Sequence, residues 1–295
     1  MILDIASFAH SLIADIAGDV KKLQTQPRLI VIVVGDDPAS AVYVRNKIRR
    51  CADAGMQGEV LHFENTISED ALIQEIQTLN NDSSVTGILV QSPLPQHIDA
   101  QEVFNHIHPL KDVDGFSAAN ITQLYSGDES GLVPCTPKGI IKIIEWYLTS
   151  IQNTKDKIHN EGNVLAGKKA VVIGKSTIVG KPLAMMLLNA GATVTVCHSR
   201  TKDLKEHTLQ ADIVISAVGK KHLITADMIH EKSLVIDVGI CVEEMDDRRY
   251  LFGDCDTQNI APKADITPVP GGVGPMTIAM LLANTLLAHS LQGKQ

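Results

Sequence analysis

The 295-residue chain has no surplus of positive charge: 26 Lys and Arg stand against 34 Asp and Glu, for a net charge of −8. A general nucleic-acid or membrane-surface coat needs the opposite sign, although a local basic patch stays open. Cysteine is sparse. Cys51, Cys135, Cys197, Cys241 and Cys255 are scattered, odd in number and without a Cys-x-x-Cys, which argues against a disulfide framework or a zinc finger and suits a reducing cytoplasm. Apolar runs such as Leu29–Val34 and Leu234–Val238 are strand-sized, far short of a bilayer span. The opening Met1-Ile2-Leu3-Asp4-Ile5 lacks the basic region of a secretory signal. None of the eleven histidines shows metal-ligand spacing; His106 and His108, two apart, point away from each other on a helix, so no metal is expected. Repeats and low-complexity segments are absent. What remains is a globular chain, 44% apolar and 20% charged, of a length that suits two domains.

Short β-rich apolar runs alternate with helical patterns almost throughout, the mark of parallel α/β architecture. Arg28–Val34 reads as a buried strand. Gly35-Asp36-Asp37-Pro38 then opens a helix expected to run to about Ala54 and stop at Gly55. Glu59–Phe63 and Val85–Gln91 are further strands, separated by a helix opened by Ser68 with Leu72, Ile73, Ile76 and Leu79 on one face. A boundary falls within residues 110–135, and Thr149 to Asn163 reads as an exposed loop. A second series follows: strand Lys169–Ile173, helix Lys181–Ala190, and strands Thr193–Cys197, Ile213–Ala217 and Leu234–Val238. The closing helix is expected from Met276, with Pro275 at its start, and to pack back on the first domain. The expected division is 1–118 plus 275–295 for the first domain and 119–274 for the second.

Val171-Val172-Ile173-Gly174-Lys175-Ser176-Thr177-Ile178-Val179-Gly180 runs a strand into glycine, with a second glycine opening a helix. Such a turn brings backbone N–H groups close to phosphate at a helix N-terminus. The spacing is Gly-x5-Gly rather than Gly-x-Gly-x-x-Gly, so an ordinary βα turn is the competing reading. The next strand ends in His198-Ser199-Arg200-Thr201-Lys202, about 20 residues on, where an NAD enzyme places an acid on the ribose; a basic, hydroxyl-rich end favours NADP. Gly219 and Gly239 end two further strands, either as nucleotide contacts or as plain strand ends. A P-loop is excluded: Lys169 stands where its first glycine belongs, and Gly162-x4-Gly167-Lys168 is followed by Lys169 rather than Ser or Thr.

In the first half, Tyr43-x3-Lys47 puts an aromatic and an amine on one helical face. The same spacing in short-chain dehydrogenases follows the nucleotide segment, whereas here it precedes it. On spacing alone a solvated basic helix (Arg45, Lys47, Arg49, Arg50) is the competing reading. Six motifs taken in order carry a more specific signal. They are Tyr43-x3-Lys47; Gly87-Ile88-Leu89-Val90-Gln91-Ser92-Pro93-Leu94-Pro95; Lys111-Asp112-Val113-Asp114-Gly115-Phe116; Pro134-Cys135-Thr136-Pro137-Lys138-Gly139; Gly174-Lys175-Ser176-x-Ile178-Val179-Gly180-x-Pro182; and Pro268-Val269-Pro270-Gly271-Gly272-Val273-Gly274-Pro275-Met276-Thr277. Together, over about residues 28 to 290, they resemble the bifunctional methylenetetrahydrofolate dehydrogenase/methenyltetrahydrofolate cyclohydrolase family.

The resemblance implies a folate-site α/β domain and a Rossmann-like NADP domain with a parallel sheet, sharing one cleft. It implies NADP-dependent oxidation of 5,10-methylenetetrahydrofolate and hydrolysis of the methenyl product to 10-formyltetrahydrofolate, in a cytoplasmic homodimer that binds neither nucleic acid nor membrane. By the same resemblance Lys47 is the catalytic amine, Gln91 its hydrogen-bonding modulator, Tyr43 the surface against the folate, and Asp114 the anchor for pterin N–H donors. Pro270, Gly271 and Gly272 form a loop over the folate, and Gly174, Lys175, Ser176, Ser199 and Ile240 contact NADP, with Arg200 sharing the phosphate. The chemistry suits these types. Hydride loss leaves a delocalised cation and needs positioning, whereas hydrolysis needs a proton acceptor, which a lysine is only while neutral. Arg45, Arg49 and Arg50 nearby in sequence suggest how it is kept so. The family commonly has arginine where Lys175 stands; lysine keeps the charge and loses the bidentate fork. Arg45–Arg50 meets either a folate's anionic tail or solvent. Two rivals remain: a shikimate-type NADP dehydrogenase, which gives Gln91 and Tyr43 no role, and a non-catalytic nucleotide sensor, which has no need of Lys47 or Asp114.

Overall fold

The structure, a computed structural model, describes residues 1–151, 163–245 and 248–293. In chain order the principal elements are α1 (Ile5–Val20), β1 (Arg28–Val34), α2 (Pro38–Asp53), β2 (Gln57–Phe63), α3 (Glu69–Asn81), β3 (Gly87–Val90), α4 (Ala100–Asn105), α5 (Ala118–Tyr125) and α6 (Cys135–Trp146). They continue with β4 (Lys169–Ile173), α7 (Gly180–Asn189), β5 (Thr193–Cys197), α8 (Leu204–Thr208), β6 (Ile213–Ser216), β7 (Leu234–Asp237), β8 (Cys241–Met245), β9 (Arg248–Phe252), α9 (Thr257–Ile260), β10 (Asp265–Ile266) and α10 (Val273–Gly293). Two compact units result: residues 10–135 with 278–295, and residues 1–9 with 136–277.

The first unit holds a parallel sheet of order β2-β1-β3. Leu29, Ile30, Val31 and Ile32 are all fully buried, so both faces of β1 are covered, which explains its unbroken apolar run. One face packs Ile30, Ile32 and Val34 with Leu72 and Ile76 of α3 and Val103 and Phe104 of α4. Ser68 caps α3 by accepting from the Ala71 N–H at 3.2 Å. The other end of α3 is closed by Lys111, whose buried ammonium donates to the carbonyls of Leu79, Asn80 and Asp82 at 2.7–2.9 Å. A cation there meets the negative end of the helix dipole. Burial pulls the Lys111 pKa below the usual lysine value, while Asp82 opposes the shift.

The second unit carries a five-stranded sheet of order β10-β7-β6-β4-β5, parallel throughout. Residues 1–9 join it because the Leu3 N–H donates to Ile266 O at 2.9 Å and the Met1 amine pairs with Asp265 at 3.0 Å. The chain's opening residues thus close the β10 edge, and the structural division on the other side falls at 135/136. Antiparallel β8 and β9 form a separate ribbon with exposed Val242, Tyr250 and Leu251.

Three local readings shift. β3 spans four residues rather than seven, since Val85 and Thr86 lead into the sheet and the ladder ends before Ser92-Pro93, a cis peptide. α10 begins at Val273, ahead of Pro275, because first-turn N–H groups have no helical partner and proline there costs nothing. Thr149–Ile151, expected as loop, belong to a π-helical turn over Tyr147–Ile151, and residues 152–162 of that expected loop lie outside the described residues. α10 is also long and apolar enough to cross a membrane, a feature the strand-sized runs do not disclose, yet half of its apolar window is buried in protein. Asn284 and Thr285 on it are fully buried and hydrogen-bonded, as in a core helix.

Candidate active site

The chemical centre of the first unit lies at the carboxyl end of β3. The Gln91 N–H extends the ladder by donating to Ile32 O at 2.9 Å. Its side chain turns to α2, where Lys47 Nζ donates to Gln91 Oε1 at 2.9 Å. Ammonium groups have no acceptor, so the amide oxygen must face the lysine. The amide nitrogen is held in turn by Ser92 O at 2.7 Å. Tyr43, one turn before Lys47, is 37% exposed, and partial burial of its ring raises the phenol pKa.

Asp114 arrives on the turn after Lys111. Asp112, almost fully buried, shapes that turn by accepting from the Gly115 and Ser117 N–H groups and from Asn120 Nδ2 at 2.8–3.0 Å. Gly115 sits at φ +71, and a Cβ there would meet the Val133–Pro134 backbone. Burial raises the Asp114 pKa above the usual carboxylate range and Asp112 adds to this; the Lys47 charge and a hydrogen bond with Cys135 pull it back. Lys47, Gln91 and Asp114 therefore share one neighbourhood. The Lys47 charge acts on the Asp114 carboxyl, and Arg50, one turn on from Lys47, pairs with Asp53 at 2.9 Å.

In the second unit, the chain leaves β4 for β5 on one side of the sheet and reaches β6 on the other, so the strand order reverses beside β4. Crevices at such a point take nucleotides. Gly174, directly after β4, has φ +117, and a Cβ on it would overlap the Ala217 carbonyl beyond β6. Lys175 and Ser176 follow as exposed residues. The Ser176 hydroxyl accepts from the Val179 and Gly180 N–H groups at 3.2 and 3.3 Å, where the loop enters α7. After β5, a turn closed by His198 and Thr201 presents Ser199 and Arg200 to solvent. Ile178, Val218 and Ile240 are 40–47% exposed, an apolar lining beyond the strand ends. Pro270 is exposed and Gly272 buried on the turn after β10, with a cis Val269–Pro270 peptide. Among the described residues, no cluster of three His, Cys, Asp or Glu is placed to hold a metal ion.

Comparison with known proteins decides what this pair of centres belongs to. The family described as tetrahydrofolate dehydrogenase/cyclohydrolase, catalytic domain, matches residues 3–114, and the same family's NAD(P)-binding domain matches residues 134–293. The chain belongs to the tetrahydrofolate dehydrogenase/cyclohydrolase family. It is 48% identical over 291 residues to the bifunctional protein FolD of Paracidovorax citrulli, covering 97% of this chain and 96% of that one. The solved bifunctional enzyme FolD of Campylobacter jejuni superposes with a TM-score of 0.89 at 43% identity, covering 99% of both chains. The Trypanosoma brucei dehydrogenase-cyclohydrolase, solved with NADP cofactor and inhibitor, gives a TM-score of 0.90 at 31% identity, covering 100% of this chain and 99% of that one.

Both the shikimate-type and the sensor readings are thereby set aside, and the two-domain α/β fold with parallel sheets is that of the family. As a family member the chain is an NAD(P)-dependent dehydrogenase and a cyclohydrolase of one-carbon tetrahydrofolates. Sequence reasoning gave no separate role to Lys111, Asp112 or Asn284. The first two lay inside a quoted motif, where only the tertiary contacts of their side chains separate them from Asp114.

Proposed function

We propose that this dehydrogenase/cyclohydrolase works through Lys47, Gln91 and Asp114 on a folate, with NADP held at Gly174, Lys175, Ser176, Ser199, Arg200 and Ile240. The observation that carries the proposal is the 2.9 Å bond from Lys47 Nζ to Gln91 Oε1, made within the field of the Asp114 carboxyl. Asp114 accepts the pterin N–H donors, since one carboxyl group takes two donors side by side. The half-buried Tyr43 ring offers a flat apolar surface to the folate. Gln91 accepts an N–H from the lysine nitrogen and holds it in place, and the neutral amine form of Lys47, through its lone pair, accepts the proton that the adding water releases during hydrolysis. Pro270, Gly271 and Gly272 cover the folate.

The nucleotide fits the residues present: at Gly174 the backbone occupies space a side chain would fill, and exposed apolar groups line the strand ends. Bound NADP supplies the hydride acceptor. Lys175, Ser199 and Arg200 meet the 2′-phosphate, because no acidic residue ends β5 to repel it. Five free cysteines, four of them buried, support the cytoplasmic reading. A homodimer is supported by the exposed Val242, Tyr250 and Leu251 of the β8–β9 ribbon. The reading assigns no nucleic-acid or membrane partner.

The test mixes protein, methylenetetrahydrofolate and NADP and follows reduced cofactor and methenyl product by ultraviolet absorbance. Cofactor reduction is expected, with the methenyl intermediate consumed and turnover with NAD weaker at low concentration. No reduction with either nucleotide would refute the reading, and equal turnover with both would refute the NADP assignment.

A further inference from the structure

Asp254 is fully buried, lies two residues past the end of β9 and has no part in the chemistry described above. One of its oxygens accepts from Ser216 Oγ at 2.8 Å and from the Val218 N–H at 2.7 Å. The other accepts from the Lys220 N–H at 2.7 Å. All three donors belong to the end of β6 and the loop that follows it, which carries the exposed Val218. The same carboxylate occupies the space beside Gly239: a Cβ on that glycine would overlap it. Gly239 precedes Ile240 on the loop after β7. A second buried carboxylate holds Asp254 in place, since Asp237 accepts from the Asp254 and Cys255 N–H groups at 2.9 Å. It also fills the space beside Gly253.

We propose that Asp254 is a positioning residue that sets the loops Ala217–Lys220 and Val238–Ile240 for nucleotide binding, without itself touching the nucleotide. One anionic group accepts three donors from the first loop and fills the gap left by glycine in the second, so neither loop shifts alone. A neutral amide in its place turns an N–H donor toward one set of donors and loses the charge that strengthens the rest. The inference rests on the functional reading above and concerns only its cofactor half.

Hydrolysis of supplied methenyltetrahydrofolate needs no nicotinamide, so the two activities separate the roles. In Asp254→Asn, the KM for NADP is expected to rise about tenfold or more, with the KM for methylenetetrahydrofolate and the hydrolysis rate within about twofold of the parent. An unchanged NADP KM, or a parallel loss of both activities in protein that remains folded by circular dichroism, would overturn the proposal. If Asp254→Asn fails to fold, Ser216→Ala decides by the same readouts, because it deletes one hydroxyl donor and keeps the carboxylate. A raised NADP KM with intact hydrolysis supports the proposal, and an unchanged one overturns it. A parent enzyme inactive toward NADP would instead overturn the functional reading itself.

Discussion

Replacing Lys47 with Met keeps the length and apolar stem of the side chain and deletes its nitrogen. Two consequences follow from the structure. Gln91 Oε1 loses the donor at 2.9 Å, and the Asp114 carboxyl loses the positive charge that pulls its pKa down. The first costs about 1 kcal/mol of stability, too little to unfold a domain of this size. The second moves the Asp114 pKa further up, so folate binding in the variant weakens at a higher pH as acid is added. The catalytic cost is far larger. Removing a positioned proton carrier costs about 10²- to 10⁴-fold in rate, or about 3–5 kcal/mol of barrier. Cyclohydrolase activity in Lys47→Met, measured as decay of methenyltetrahydrofolate above its spontaneous rate, should therefore fall by at least a hundredfold, with the NADP dissociation constant unchanged. Gln91→Leu supplies the control: if the amide acts through the lysine, Gln91→Leu slows the parent but adds little in the Lys47→Met background. Hydrolysis at the parent rate in Lys47→Met would remove the amine from the mechanism, and strict additivity of the two changes would separate Gln91 from it.

Burial lifts the Asp237 carboxyl from its ordinary 3.8 to about 6; the backbone N–H groups of Cys255 and Asp254 pull it down, and the neighbouring Asp254 charge pushes it further up. The native state therefore holds this proton more tightly than the unfolded chain between about pH 6 and 4, and the group's penalty at neutral pH is relieved as pH falls through that window. Urea unfolding should show the parent gaining about 1 kcal/mol relative to Asp237→Asn between pH 7 and pH 5; parallel pH curves for the two would contradict this. Gly174→Ala forces a Cβ into the Ala217 carbonyl at φ +117, so NADP binding should be lost or the domain destabilised by about 1–3 kcal/mol, read by cofactor titration and thermal melting. Lys175→Arg restores a two-pronged donor and should lower the KM for NADP about two- to tenfold while leaving that for NAD unchanged; an equal effect on both would show that position 175 does not meet the 2′-phosphate.

Much of the fold is legible in the chain itself. Buried parallel strands announce themselves as unbroken apolar runs, and β1 and β4 have the bounds their residues predict because both faces of each must exclude water; the edge strand β5, partly exposed, keeps its predicted bounds through its alternating Thr and Val instead. Helix stops are equally plain where glycine takes a left-handed turn, as at Gly55 after α2. Ordered motifs, each weak alone, were enough to name the family. Contacts that depend on folding were not legible: a lysine reads as a basic residue whether it faces solvent, as Lys175 does, or closes α3 from within, as Lys111 does. Asp112 and Asp114 are two residues apart and chemically identical, yet one is consumed by backbone donors and the other is turned toward Lys47. Local pattern determines which segments become strands and helices, because hydrophobic periodicity and turn chemistry act over a few residues. Only the tertiary structure decides which polar side chains are spent holding backbone in place and which are left for chemistry, because that depends on donors and acceptors supplied from distant parts of the chain.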